Sequence, residues 1–454
     1  MKPTKILILS HISDLLGGAE RSMLDTIDYW SEHYDIEPEF ILRRPLKSLA
    51  GELKKRGWKY YDLDYTFWSD AVAPTQAEDI FNRAVQNNQA IKDIEKIIAD
   101  SNPDVVMTNT IVCPWAALAA YFQKRPHVWF VREYGDLDHG RAFEMDRQRT
   151  FEDIGNLSDL VVTNSRTLGE HVGQYVPTNK LTTLYTPFKT NDLLERAKES
   201  LVSPFREAGS LKLVITGNLA PSKGQLEAVR AVSELNAEGF NIELCAIGAT
   251  DQKEYVAELK AVAKKHSAAN KIHLVGYQTN PMPYIAASDV GIMASRKEAF
   301  GRVTFEYLLL GKPVIGANGG ATPEMVKDGK TGYLYDPASV KSLKQALLHY
   351  AKDKSLVKSH KKAAQEMSQS MLAGEFNADA LYKRVVEVIA NADKIDRTPI
   401  NYFHRELDYS LIAKEVVNKS GSQSVKKLVR RKARQKAKDA YYMMRSTKAR
   451  ITGK

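Results

Sequence analysis

The chain has 454 residues, 43% apolar and 26% charged, which excludes a fibrous or wholly disordered protein and is too long for a single ordinary core. Its two cysteines, Cys113 and Cys245, exclude a disulfide framework and offer no zinc spacing, so a reducing, cytoplasmic setting is expected. The net charge of +10 is local: Gly421–Lys454 carries twelve Lys or Arg against one acid, Asp439, leaving residues 1–420 at −1.

The N-terminal apolar stretch Ile6–Leu9 is too short for a signal peptide or a span, and no later run reaches bilayer length. It reads instead as the first of a series of buried strands: Ile6–Leu9, Pro38–Leu42, Val105–Thr108, Val128–Val131, Leu160–Thr163 and Leu181–Leu184. Thr186-Pro187-Phe188, a charged helical stretch and Ser203-Pro204 then interrupt the pattern. A second series follows: Leu211–Thr216, Ile242–Ile247, Ile272–Val275, Val290–Met293 and Val314–Ala317. Strands apolar nearly throughout, with helical stretches between, predict two parallel sheets covered on both faces. The domains are expected at about 1–190 and 200–375, with a helical crossover and extension at 376–420 and a basic helical tail at 421–454.

Open parallel sheets gather ligands beyond the carboxyl ends of their strands, which selects the loops after Leu9, Val131, Thr216, Ile247, Met293 and Ala317. After Leu9, Gly17 and Gly18 precede a helix whose apolar positions Met23, Ile27 and Trp30 are four and three apart. Paired glycines there allow backbone N–H groups to approach an anion, or simply make a tight turn. After Thr216, Gly217-Asn218 leads to Lys223-Gly224 and another helix. Lys223 is placed to meet a diphosphate as a point charge, against the plainer reading of a solvated lysine.

The segment Ser295–Pro313 holds Glu298, Phe300, Gly301, Arg302 and Glu306, and a helix is expected from near Phe300 until Gly311 and Pro313 stop it. Glu298 before the helix and Glu306 nearly two turns into it bracket free N–H groups, which suits a ligand with hydroxyls at both ends and phosphates between. Glu306 pairing with Arg302 is the plainer alternative. Asn318–Glu324 forms a third loop, in which Pro323 and Glu324 fit a helix start.

These segments in this order resemble the family 4 retaining glycosyltransferases, group 1 type, across roughly residues 5–390. The resemblance implies the GT-B fold, an α/β architecture of two Rossmann-like domains facing across a cleft, with the nucleotide-sugar donor on the second. It implies that Glu298 binds the transferred sugar, Glu306 the ribose and Lys223 the diphosphate, with Gly17 and Gly18 as the N-terminal glycine loop. It also implies a metal-independent hexosyltransferase-type enzyme, with a glycan or lipid-linked acceptor in polysaccharide or glycoconjugate synthesis.

Two positions depart from the family pattern. Asn218 stands where an Arg is usual, and Arg302 or Arg166 is a candidate replacement; Arg132 stands where a His is usual and cannot shuttle protons. Asn218, Phe300, Gly301 and Arg302 complete the expected donor contacts, and Arg132 joins Glu298 and Lys223 as an expected catalytic residue. These departures keep open a non-catalytic partner of an active transferase. A nucleic-acid-binding protein is the other alternative, carried by the tail alone. The pairs Asp62/Asp64 and Asp136/Asp138 invite a metal, but no metal or cofactor is expected; G-x-G-x-x-G and the P-loop pattern are absent. Val425, Leu428, Val429, Ala433 and Ala437 form a short apolar stripe among the tail's basic residues, so a peripheral position on an anionic membrane is expected.

Overall fold

The computed structural model describes residues 2–15, 17–71, 77–185, 187–250, 252–374 and 377–392. The basic tail, and the extension from 393 on, lie outside the described residues. Contacts divide the chain into two units: the first holds Met1–Asn164, Gly169–Thr186 and the chain from Ala378, and the second Ser165–Leu168 and Pro187–Asn377.

The first unit contains β1 (Thr4–Ser10), β2 (Ile36–Arg43), β3 (Lys59–Leu63), β4 (Ser69–Asp70), β5 (Val105–Thr108), β6 (His127–Val131), β7 (Ala142–Phe143), β8 (Leu160–Thr163) and β9 (Leu181–Thr183). Seven of these form one parallel sheet in the order β3-β2-β1-β5-β6-β8-β9, while β4 and β7 pair separately and antiparallel. Ile6, Leu7, Ile8 and Leu9 of β1 are all buried, as a strand covered on both faces requires. One covering layer is the helix Gly18–His33, whose Met23, Ile27 and Trp30 turn inward at helical spacing. The helix Ala378–Ala390 joins the same core through Leu381, Tyr382 and Val385. Each such side chain, fully buried, contributes roughly 1.5–3 kcal/mol.

The second unit contains β10 (Leu211–Thr216), β11 (Ile242–Ile247), β12 (Ile272–Gly276), β13 (Val290–Met293), β14 (Val314–Ala317) and β15 (Gly332–Tyr335), parallel in the order β12-β11-β10-β13-β14-β15. The helix Gln225–Ala237 lays Val229, Val232 and Leu235 on Leu213, Ile215 and Leu244. In both sheets the strand order reverses beside the first strand, between β1 and β5 and between β10 and β13. The crevice at such a reversal is where doubly wound sheets hold ligands.

β3 and β15, absent from the sequence expectation, are edge strands with largely half-buried side chains, so neither makes the continuous apolar run that marks a central strand. Among the described residues no helix is long and apolar enough to cross a membrane.

Candidate functional site

In the second unit, the loops after β10 and β13 meet at the reversal. Gly224, at φ +70°, closes the turn of Pro221–Lys223 and opens the helix Gln225–Ala237. A Cβ on Gly224 would lie 2.4 Å from Ala294 O, so only glycine lets this loop touch the end of β13. The contact sets Lys223 beside Glu298, with Nζ 3.1 Å from Oε2 and both side chains part-exposed. Asn218 is exposed, and its carbonyl accepts from Gln225 Nε2 at 2.9 Å, which fixes the loop's path.

Glu298 is clamped from the other side. Its backbone bridges Gly320, and Ala321 N donates to Glu298 O at 2.8 Å. Gly320 sits at φ +56° and its Cβ would fall 2.2 Å from Glu298 O; a Cβ on Gly319 would fall 2.3 Å from Arg296 O. The Asn318-Gly319-Gly320 loop thus holds the Glu298 loop by direct backbone contact.

The helix itself is Arg302–Leu309, two residues later than expected, because Gly301 at φ +83° cannot be helical and serves as its N-cap. No side chain caps that terminus, which leaves its N–H end available to an anion. The Phe300 ring is buried against Phe188, so its part in the site is to anchor the loop. Arg302 lies with its guanidinium 4.1 Å from the Phe188 ring centre, a cation–π contact. Glu306 is half-buried on the next turn. Its neighbour Tyr307 is wholly buried and accepts from Thr216 N at 2.9 Å, tying the helix to the end of β10. Burial pushes the Tyr307 hydroxyl pKa far up, so it stays neutral. Glu324, expected at a helix start, is in the first turn of Thr322–Met325, and its carboxylate also accepts from Arg166 N and Thr167 N, residues of the same unit.

In the first unit, Gly17 is the N-cap of the helix Gly18–His33, again without a side-chain cap, and Gly18 is exposed. A Cβ on Gly17 would lie 2.9 Å from Glu20 Oε2, so this glycine makes room for a buried carboxylate. Glu20 accepts from Ser10 Oγ at 3.1 Å, and His11 Nδ1 lies 3.1 Å from its Oε1. Burial works against a charged His11, but Glu20, by charge and hydrogen bond and with help from Glu133, outweighs it and raises the imidazole above its usual value. Burial raises the Glu133 carboxyl in turn. Arg132 is 6% exposed, and its Nε donates to Asn109 Oδ1 at 2.6 Å. Asn109 Nδ2 donates to Ala19 O at 3.2 Å, so Arg132 reaches the start of the glycine helix through one intermediary. His139 is half-exposed, 3.9 Å from Asp138.

The acid pairs are occupied by the protein itself. Asp62 and Asp64 share Arg44, Asp136 pairs with Arg147, and Asp138 accepts from Tyr134 N and Gly135 N. Trp68 is core: 1% exposed, its Nε1 donates to Ile111 O at 2.6 Å. Phe67 remains near the surface between the guanidinium groups of Arg43 and Arg141. Sequence reading assigned no role to the His11–Glu20 pair, Tyr307, or the clamp at Gly319 and Gly320. An acid directly after Gly-Gly-Ala, and a double glycine two residues after a strand, were the available signals.

Two doubly wound sheets, the second carrying a cation–carboxylate pair beside an uncapped helix at its switch point, make up the α/β architecture of the GT-B fold. Residues 199–367, within the second unit, match the sequence model of the family Glycosyl transferases group 1. It is 27% identical over 211 residues, 46% of this chain and 54% of the relative, to an N-acetyl-alpha-D-glucosaminyl L-malate synthase of Bacillus anthracis. It is 21% identical over 234 residues, 52% of this chain and 65% of the relative, to a lipopolysaccharide core biosynthesis glycosyltransferase of Rhizobium meliloti. The chain thus spans between half and two thirds of the length of these curated relatives. The crystal structure of Anabaena HepE in complex with UDP and glucose superposes with a TM-score of 0.65 at 19% identity, covering 86% of this chain and all of that one. A glycosyltransferase from Rickettsia africae gives 0.66 at 19% identity, covering 87% and 100%.

Proposed function

We propose that the chain is a retaining, metal-independent glycosyltransferase of the family 4 type, moving a hexosyl unit from a nucleoside diphosphate sugar to a hydroxyl of a glycan or lipid-linked acceptor. The observation that carries this is the 3.1 Å pair of Lys223 and Glu298, from two loops that converge at the switch point of the second sheet. As the bond from sugar to diphosphate breaks, negative charge builds on the leaving phosphate. Lys223 and the uncapped end of the helix Arg302–Leu309 offset it without a metal. Glu298 is the acceptor for sugar hydroxyls, and Glu306 for the ribose. Gly17 and Gly18 open the backbone of the first unit in the same manner. Arg132, shielded and bound to Asn109, acts by holding the glycine helix and not by transferring a proton.

The curated relatives include a lipopolysaccharide core glycosyltransferase, which supports cell-surface polysaccharide or glycoconjugate synthesis as the setting. HepE was crystallised with UDP and glucose, which supports a uridine nucleotide as the first donor to try. The basic tail holds the enzyme at the inner face of the cell membrane, where lipid-linked acceptors are found. The experiment is a panel of UDP-, GDP-, ADP- and dTDP-sugars, each followed for slow hydrolysis with and without EDTA. The proposal expects one nucleotide class to be turned over equally in both. No turnover of any, or turnover abolished by EDTA and restored by magnesium, contradicts it.

A further inference from the structure

At the end of the second sheet opposite the donor loops lies a pocket of about 320 Å³. Its walls are the residues that open the strands: Leu211 begins β10, Ser288 and Asp289 precede β13, and Gly311 and Lys312 precede β14. The helix Ser355–Gly374 closes the side. Lys354, just before that helix, and Lys358 and Lys361 within it stand four and three apart, on one face, and all three line the pocket with Lys312.

Four lysines therefore line a space with one acid, and that acid is partly engaged: Asp289 Oδ2 accepts from Lys212 N at 2.8 Å. Lys312 is held from below, its Nζ donating to Ala286 O at 2.7 Å and Ser288 O at 2.6 Å. Lys354 donates to Gly209 O. Among the described residues no carboxylate pairs with Lys358 or Lys361. Burial lowers the Lys312 pKa to about 8, with Lys361 adding to the shift and Asp289 opposing it. Gathering like charges in this way is unfavourable in the empty pocket and becomes favourable when an anion enters.

The lining also limits the ligand. It has no aromatic ring to stack a base and no guanidinium fork to grip a planar group, only point charges above the small apolar surface of Leu211 and Val357. We propose that this pocket binds a compact polyanion of the phosphate or phosphate-ester class, at a second site separate from the donor loops. The helix Arg302–Leu309 runs from the donor loop to this pocket, since Gly301 begins it and Gly311-Lys312 follow its end. The site stands whether or not the donor assignment does.

The test is residue-specific lysine labelling of the full chain, read by mass spectrometry, in sodium pyrophosphate, with phosphatidylglycerol vesicles, and in sodium chloride at the same ionic strength. Protection of Lys312, Lys358 and Lys361 by about threefold or more in pyrophosphate, with exposed Lys341 unchanged, supports a site for a soluble phosphate compound. The same selective protection by vesicles alone supports the site with a lipid headgroup as its ligand. Equal labelling in all three solutions overturns it. The double variant Lys358→Glu, Lys361→Glu changes only exposed side chains and is expected to remove the protection of Lys312. Undiminished protection of Lys312 in that variant also overturns the proposal.

Discussion

Glu298 is held by backbone contacts on one side and by Lys223 on the other, so its carboxylate is in place before any ligand arrives. Such a preorganised acceptor loses little on binding, and Glu298→Ala is expected to lower kcat/KM about ten- to a hundredfold, the worth of one charge-assisted hydrogen bond in a closed site. Unchanged kcat/KM in the folded variant contradicts the role. The clamp is as exacting as the side chain: Gly320→Ala meets Glu298 O at 2.2 Å and forces a left-handed φ. A loss of roughly 1–3 kcal/mol in urea unfolding, with weaker donor binding, is expected. Wild-type values for both show that the loops do not need the contact. In the first unit, His11 carries a pH signature. Its folded value is raised above 6.5 by Glu20 and Glu133 against burial and Arg141. A raised folded value contributes stability that is present below 6.5 and lost as pH rises through the folded value. The melting-temperature gap between wild type and His11→Gln should be wide below the usual imidazole value and narrow as pH rises through the raised folded value. A gap constant across that range refutes the pairing.

At the scale of elements, the helix Arg302–Leu309 is positioned by Tyr307, whose hydroxyl takes the Thr216 N–H while its ring covers Gly291. Tyr307→Phe leaves that N–H without its partner and is expected to cost roughly 1–3 kcal/mol in urea unfolding. No change in midpoint means the helix is held by other contacts. The returning helix Ala378–Ala390 is fastened to the first core by Trp30 Nε1 donating to Ala378 O, by Tyr34 stacked on Tyr382, and by Asp379 accepting from Tyr34 at 2.7 Å. That hydrogen bond, with burial, pushes Tyr34 up to about 12; in Asp379→Ala its ultraviolet titration should fall back toward 10. A titration that does not move shows that Asp379 is not its partner. The central strands were legible because burial on both faces writes a continuous apolar run, as in Ile6–Leu9. Edge strands β3 and β15 were not, since Lys59–Leu63 has one exposed position followed by half-buried ones and Gly332–Tyr335 is half-buried at its centre. The positions of Lys223, Glu298 and Glu306 were legible from loop and helix signals, but the clamp was not, because it is made by backbone atoms of residues far apart in sequence, such as Glu298 and Gly320.

For the whole molecule, all of the excess positive charge lies beyond residue 420, so the proposed membrane attachment and the proposed chemistry fall in different parts of the chain. Near anionic lipid each Lys or Arg contributes about 1 kcal/mol, and half of the tail's basic residues are enough for salt-sensitive binding. The full chain should float with phosphatidylglycerol vesicles at low salt, and a chain ending at Ser420 should not. Equal flotation of the two contradicts the anchor. That Lys223, paired with Glu298, meets the diphosphate of a donor is what the proposed function turns on. It is tested most directly by calorimetric titration of wild type and Lys223→Ala with uridine and with UDP. The substitution is expected to weaken UDP about ten- to a hundredfold and to leave uridine unchanged. Equal loss for both ligands, or no loss for either, contradicts it.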